Sequence, residues 1–168
     1  MARRGRPDWL GSTGLGVLVP TLLVVHHTTS PALDELLAAV LEGTRAEGLE
    51  EVDVVVRPAL GAGVTDVLQA DGFLLGTPVN IGYMSGALKH FFDQVFYPCK
   101  GAKDGAPYGL YVHGNNDTTG AERGVEQIAA GLGWRRALPV VRVLGPPAQA
   151  DLANCRELGA TLAATLAS

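Results

Sequence analysis

Short apolar runs of strand length alternate with amphipathic segments along most of this chain. The runs are continuous and rich in Val and Leu, which is typical of strands that are buried on both faces of a parallel sheet. These runs predict five strands, over residues 21–26, 52–56, 72–76, 108–112 and 138–143.

Between these runs, apolar residues recur at intervals of three and four, as on the buried face of a helix. Pro31 suits the first turn of one such helix, and Pro98 is expected to stop another. Helices are predicted over residues 31–47, 64–69, 84–96 and 121–132, and in a last segment that carries Leu158, Leu162 and Leu166. Strands that alternate with helices predict an α/β fold, a parallel sheet covered by helices on both faces.

The composition supports one compact domain. Of the 168 residues, 47% are hydrophobic and 18% are charged, so the chain can bury a core. Residues 1–18 show no periodicity and are predicted to form a flexible leader. A single domain is predicted over residues 19–168.

Charge and cysteine content argue against several function classes. The 13 Lys and Arg residues against 17 Asp and Glu residues give a net charge of -4, so the positive field that favours nucleic-acid binding is missing. The longest near-apolar stretch, residues 14–25, is too short to form a membrane-spanning helix. Cys99 and Cys155 suit a reducing cytoplasm and are expected to be structural thiols. The sequence shows no metal-ligand pattern, so no metal site is predicted.

Ligands of open α/β sheets bind beyond the carboxyl ends of the strands, which directs attention to the loops there. After the first predicted strand, Thr28, Thr29 and Ser30 place hydroxyl and N–H groups at the start of a helix, where a phosphate is favoured. The alternative is an ordinary helix cap by Thr29 or Ser30 before Pro31, and such caps are common.

Two further loops complete this edge. Residues 76–86, after the third predicted strand, are rich in glycine, so a flat ligand could lie close to their backbone. Residues 113–120, after the fourth, form a polar loop that could wrap the other side, although Asn, Asp and Gly also dominate ordinary loops. His113 could position a hydride donor or a quinone, and a solvated loop histidine is the alternative.

The segment GTPVNIGYMSGALKHFFDQ, residues 76–94, resembles the flavin loop and following helix of one family. This family contains flavodoxin-like NAD(P)H:quinone oxidoreductases of the tryptophan-repressor-binding-protein type and related NAD(P)H-dependent FMN reductases. The shared features are the Thr-Pro pair at 77 and 78, Gly82, Met-Ser-Gly at 84–86 and the Phe-x-Asp-Gln tail. The resemblance implies a flavodoxin-like three-layer sandwich whose five-stranded parallel sheet has the order 2-1-3-4-5, with FMN at its edge.

In the first loop the resemblance is incomplete. The family motif Ser-x-Thr-Gly-Asn-Thr falls on residues 28–33. The residues implied as phosphate ligands are Thr28, Thr29 and Ser30. Pro31 replaces the glycine and Leu33 the last threonine, which removes one N–H and one hydroxyl. His26 or His27 could add charge, so we expect phosphate binding that is weaker or differently arranged than in the family.

In the other two loops the resemblance implies contacts with the ribityl chain and ring of FMN. The implied residues are Thr77, Pro78, Asn80, Ile81 and Gly82 in the second loop, and Gly114, Asn115 and Asn116 in the third. Asn80 and Ile81 stand where the quinone reductases often have arginine and phenylalanine, so substrate preference is not carried over. Gly82 is expected to let the ring approach the backbone or to take a positive φ. Tyr83 and Trp134 are the aromatic candidates for ring contact.

The resemblance implies an FMN-binding flavoprotein that oxidises NADH or NADPH and reduces a quinone or a similar small acceptor. Two alternatives stay open: a flavodoxin-type electron carrier without enzymatic activity, and a flavodoxin-like interaction module that has lost FMN. A homodimer or higher oligomer is expected, because the helix at 84–96 carries more apolar surface than one sheet face covers.

Overall fold

The computed structural model describes residues 18–168, and its central feature is a β-sheet between two layers of helices. The strands are β1 Thr21–His26, β2 Asp53–Pro58, β3 Gly72–Asn80, β4 Tyr83–Met84, β5 Pro107–Gly114, β6 Arg135–Arg136 and β7 Val141–Leu144. The α-helices are α1 Pro31–Thr44, α2 Val64–Gln69, α3 Gly86–Cys99, α4 Thr119–Leu132 and α5 Gln149–Ala167, and a 3-10 turn, Ala59–Gly61, follows β2.

The sheet has the strand order of a flavodoxin. The order runs β2-β1-β3-β5, and β6 and β7 share the fifth position, both parallel to β5. The predicted order 2-1-3-4-5 is therefore confirmed. Among the described residues, β4 alone pairs antiparallel, and it forms a hairpin with the end of β3.

The two faces of the sheet explain the continuous apolar runs. Along β1, Leu22 and Val24 face α1 and α5, whereas Leu23 and Val25 face α3 and the elements beside it. All four side chains are at most 1% exposed. Each strand position is therefore apolar, because both faces of the sheet are covered.

The fifth strand differs from its prediction. In place of a single strand over residues 138–143, the fifth position holds two short strands, β6 before this range and β7 at its end, which pair with the start and the end of β5. Pro139 lies between them and has no N–H to donate to a strand ladder. The first piece consists of Arg135 and Arg136, whose exposed side chains gave no apolar signal.

Several helix boundaries also differ from the predictions. α1 ends at Thr44, three residues before the predicted end. α3 begins at Gly86 after the N-cap Ser85 and continues through Pro98 to Cys99. Proline is tolerated there because only the last turn loses a hydrogen bond.

The predicted leader, residues 1–18, lies outside the described residues except for Leu18.

Candidate functional site

The carboxyl ends of β1, β3 and β5 lie side by side at one edge of the sheet. The register pairs His26 with Gly76 and Pro78 with His113, so the loops that follow these strands begin on the same side. The structure therefore brings the candidate residues of all three loops to one edge.

The first loop combines a helix cap with free backbone donors. The Oγ of Ser30 accepts a hydrogen bond from the N–H of Leu33 at 3.3 Å, so the cap interpretation is confirmed for Ser30. Leu33 is buried in the core and offers nothing to a ligand. Within the described part of the chain, the N–H groups of Thr28, Thr29 and Ser30 form no hydrogen bond. Consecutive N–H groups before the positive end of a helix suit an anion.

Two histidines, His26 and His27, immediately precede this loop in the chain. The Nδ1 of His26 lies 2.8 Å from the Oγ1 of Thr28. Burial lowers the pKa of His26, the neighbouring His27 lowers it further, and Asp34 opposes both effects. Nδ1 of His27 is buried and has no partner among the described residues. A half-buried histidine with a lowered pKa is neutral at pH 7, so His26 adds no fixed charge to the loop.

The second loop is a tight hairpin held at its base by Thr77. The hydroxyl of Thr77 donates to the carbonyl of Pro78 at 2.7 Å and accepts from the N–H of Ser85 at 3.0 Å. The side chains of Thr77 and Pro78 are buried. Thr77 therefore fixes the hairpin, and the residues beyond it form the exposed part of the loop.

The tip of the hairpin is a left-handed turn formed by Ile81 and Gly82. Their φ angles are 50° and 71°, which together are typical of a type I′ turn. The expected positive φ of Gly82 is confirmed. Ile81 is unusual there, because β-branched residues avoid positive φ. Its side chain is fully exposed, as is much of Asn80 beside it.

The third loop leaves β5 at His113. Nε2 of His113 donates to the carbonyl oxygen of Gly145 at 2.8 Å, which ties the end of β5 to the turn after β7. Gly114 is buried so closely against Val79 that a Cβ would lie 3.2 Å from it. Asn115 and Asn116 are exposed. The second and third loops are therefore in contact at their bases.

Helix α4 packs directly against the hairpin. A Cβ on Gly120 would lie 1.9 Å from the carbonyl oxygen of Gly82, and a Cβ on Gly124 would lie 2.6 Å from the ring of Tyr83. Tyr83, a candidate for ring contact, thus packs its ring against α4 and is 39% exposed. The absence of side chains at two positions of α4 allows this contact.

The prediction that Trp134 contacts the ring of FMN is wrong. Trp134 stacks on Phe73 with ring centroids 3.8 Å apart and an interplanar angle of 11°. Phe73 is near the start of β3, and the residue after Trp134 pairs with the start of β5. Trp134 therefore belongs to the core at the opposite end of the strands.

Sequence reasoning missed one polar network at this site. The Oγ1 of Thr118 donates to Glu122 at 3.0 Å, and the same carboxylate accepts from Arg142 at 3.0 and 2.7 Å. A cavity of about 480 Å³ lies beside this network and reaches Asn116. Glu122 and Arg142 are 20 residues apart, and no motif connects them.

Among residues 18–168, no group of three His, Cys, Asp or Glu side chains has the arrangement of a metal site. No helix of the described segment is long and apolar enough to span a membrane.

The model of the family described as NADPH-dependent FMN reductase matches residues 32–141, more than half of the chain. The chain belongs to this family of FMN reductases. The match contains the second and third loops and begins just after Ser30, where the first loop departs from the family motif. This FMN reductase family member also resembles a flavodoxin of Aquifex aeolicus, with 36% identity over 84 residues. The aligned region is 50% of this chain and 44% of that flavodoxin, so the chain spans under half the length of this curated relative.

Solved structures show the same fold. A flavodoxin from the domain Archaea superposes with a TM-score of 0.75 and 19% identity, covering 88% of this chain and 99% of that one. A flavodoxin, WrbA-like protein from Agrobacterium tumefaciens gives a TM-score of 0.70 and 16% identity, covering 88% and 97%. The family member therefore has the flavodoxin fold.

Proposed function

We propose that this protein binds FMN across the three loops and acts as an NAD(P)H-dependent oxidoreductase that reduces a quinone or a similar small acceptor. The observation that supports this best is that two complementary features meet at one sheet edge. One is the row of N–H groups from Thr28 to Ser30 at the start of α1. The other is the hairpin with Gly82 at its tip. The first suits a phosphate and the second suits a flat ring.

The first loop can bind the phosphate of FMN in spite of Pro31. Proline at the first helical position removes an N–H group of α1, but the N–H groups of Thr28, Thr29 and Ser30 precede it and remain free in the described chain. Nδ1 of His27, in the residue before the loop, is also buried and has no partner among the described residues. These groups would bind the phosphate oxygens.

The isoalloxazine ring of FMN would be bound by main-chain atoms of the second and third loops. The exposed backbone from Asn80 to Gly82 would contact one part of the ring, and Gly114 to Asn116 would contact another. Ile81 keeps a backbone conformation that its side chain disfavours, and such strain is concentrated at binding sites. Thr77 and Pro78 contribute by holding the hairpin in place.

FMN, when bound, supplies the redox chemistry, since the isoalloxazine ring accepts a hydride and passes two electrons on. The overall reaction is NAD(P)H + H⁺ + quinone → NAD(P)⁺ + hydroquinone. The protein binds and orients the reactants, and no side-chain acid or base is required. We assign His113 a positioning role in the third loop and no role in proton transfer. Its Nε2–H already donates a hydrogen bond to the carbonyl oxygen of Gly145.

The second candidate is a flavodoxin-type electron carrier. The curated relative named flavodoxin favours it. Carriers usually need a dense acidic face to attract basic partners, and a net charge of -4 without an acidic run favours the enzyme. An interaction module without FMN is the third candidate, and the departures at Pro31 and Leu33 are its support.

Oxidation of NADH and NADPH by benzoquinone, measured on FMN-saturated protein, tests these candidates. Turnover with free nicotinamide nucleotide supports the oxidoreductase. Flavin that is reduced by a reductase protein and never by free NADH or NADPH supports the carrier. A chain that takes up no flavin supports the interaction module.

The proposed enzyme is a cytoplasmic dimer or higher oligomer. Less apolar surface of α3 is exposed than the sequence predicts, because Phe91 and Phe92 are buried within the fold. What remains is Tyr97, 82% exposed, beside the half-buried Phe96 and a groove of about 250 Å³ between α3 and α4. A second subunit would cover this surface. Light scattering should then give a dimer that Tyr97→Lys converts to a monomer, whereas Leu60→Lys, at another exposed apolar position, should leave the mass unchanged.

A further inference from the structure

A nearly buried carboxylate stands between the third loop and the edge of the sheet. Glu122 is 9% exposed, and it lies on α4, outside the groups proposed to touch FMN. We propose that Glu122 is a positioning residue, which holds the third loop at the distance from the hairpin that FMN requires. This inference rests on the proposed FMN site.

The first observation is the unusual use of Thr118. Thr118 is the N-cap of α4, where a threonine hydroxyl normally accepts a hydrogen bond from the helix backbone. No such cap hydrogen bond is present, and the hydroxyl donates to the Oε2 of Glu122 at 3.0 Å. Asp117 accepts from the N–H of Thr119 at 2.9 Å and satisfies one helix donor instead. Glu122 thus determines the rotamer of Thr118 at the end of the loop.

The second observation is the anchor on the other side of the carboxylate. The Oε1 of Glu122 accepts from both Nε and Nη2 of Arg142, at 3.0 and 2.7 Å. Arg142 lies on β7 and pairs with Val112 of β5, one residue before His113. The network therefore connects the two ends of the third loop through neighbouring strands, and a bidentate pair fixes its geometry.

The position of this loop determines the width of the proposed site. Gly114, where this loop leaves β5, touches Val79 at the base of the hairpin, and Gly120 of α4 touches the hairpin tip. Without the carboxylate, the hydroxyl of Thr118 is free to turn towards the first N–H groups of α4 and cap them. The loop would then move relative to the hairpin, and FMN would lose contacts on one side.

The same helix supplies a matched control. Glu126, one turn further along, pairs with Arg136 of the fifth strand position, so it also joins α4 to that edge. Its side chain is 39% exposed, and no hydrogen bond joins it to the third loop in the described structure. Replacement of either glutamate removes one charge and one ion pair from α4, but only Glu122 holds Thr118.

The test compares FMN affinity, the visible flavin spectrum and thermal stability in Glu122→Met, Glu122→Gln, Thr118→Val and Glu126→Met. Loss of a hydrogen bond to a charged group is equivalent to about a tenfold change in an equilibrium constant, so Glu122→Met should weaken FMN binding about tenfold and shift the visible band. Glu122→Gln keeps an acceptor for Thr118 and should restore most of the affinity. Thr118→Val should weaken binding in the same direction, and Glu126→Met should match the parent.

Each result is decisive. If Glu122→Met and Thr118→Val bind FMN like Glu126→Met, with only the melting temperature lowered, Glu122 is purely structural and the inference is wrong. If Glu122→Met does not fold, Thr118→Val decides alone, since it removes only a hydroxyl. A parent chain that binds no FMN overturns the proposed function itself, and this inference with it.

Discussion

The backbone of Gly120 lies against the carbonyl oxygen of Gly82, so that a methyl group on Gly120 would lie only 1.9 Å from that oxygen. A helix and a hairpin that are far apart in sequence are thus fixed to each other at the proposed flavin site. Any side chain at Gly120 must displace the hairpin tip or the start of α4.

Replacement of Gly120 by alanine should therefore weaken FMN binding. Alanine favours a helix by roughly 1 kcal/mol over glycine, so helix propensity alone predicts a more stable protein. We expect the opposite, a loss of about 1–3 kcal/mol from overpacking and weaker FMN binding. Urea unfolding and flavin titration measure the two effects. Unchanged affinity would show that the contact does not shape the site.

Gly82→Val should abolish FMN binding and leave the fold intact. Valine at a φ of 71° is strained by about 1–3 kcal/mol and fills the space next to the backbone. Gly105→Val is the control, because Gly105 has a φ of 80° in an exposed turn with nothing within 4 Å of a Cβ. Both variants should have similarly lowered melting temperatures, measured by circular dichroism. If a folded Gly82→Val protein binds FMN as tightly as Gly105→Val does, the hairpin is not part of the flavin site.

The stability of the flavin-free protein should fall as the pH drops below about 6.5. Burial lowers the pKa of His26 in the folded state below the ordinary histidine value of about 6.5. The unfolded chain therefore binds the proton first, so the stabilisation by neutral His26 is complete above about pH 6.5 and is lost as the pH falls towards the folded pKa.

Urea unfolding between about pH 7.5 and 5.5 measures this slope. His26→Gln should flatten it, whereas His90→Gln should keep it, because His90 is exposed on α3 beside Gln94. Equal slopes in the parent and His26→Gln would contradict the assignment.

The two thiols should react only when the protein opens. Cys99 and Cys155 are both fully buried. Burial raises the pKa of Cys99, and burial together with Asp151 raises the pKa of Cys155 to about 12. Labelling by Ellman's reagent should be more than about a thousandfold slower in the native protein than in denaturant, because global opening costs roughly 5 kcal/mol or more. Rapid labelling of one thiol in native buffer would show local opening there.

The strands of the sheet could be predicted because burial on both faces leaves a continuous apolar signal, as in Leu22 to Val25. Their order came from the family resemblance and not from this signal. The hairpin could not, because its turn uses Ile81 where asparagine or aspartate before glycine is the usual signal. β6 was missed for a similar reason: Arg135 and Arg136 pair through the backbone and expose their side chains.

The candidate site was predictable to the level of its loops. The strand ends identified three loops, and the family motif identified Gly82 within them. The roles of side chains within the loops depend on tertiary contacts, such as the hydroxyl of Thr77 that holds the hairpin. Trp134 was misplaced because the sequence does not reveal at which end of the strands an aromatic residue packs.

Parallel titrations of the purified protein with FMN and riboflavin test the central claim most directly. The two flavins share the ring and differ in the phosphate, which the N–H groups of Thr28, Thr29 and Ser30 are proposed to bind. We predict one site per chain and FMN binding at least about tenfold tighter, since charge-assisted hydrogen bonds contribute about 1.5–3 kcal/mol. Equal affinity for both flavins would contradict the phosphate site, and binding of neither would contradict the flavin site altogether.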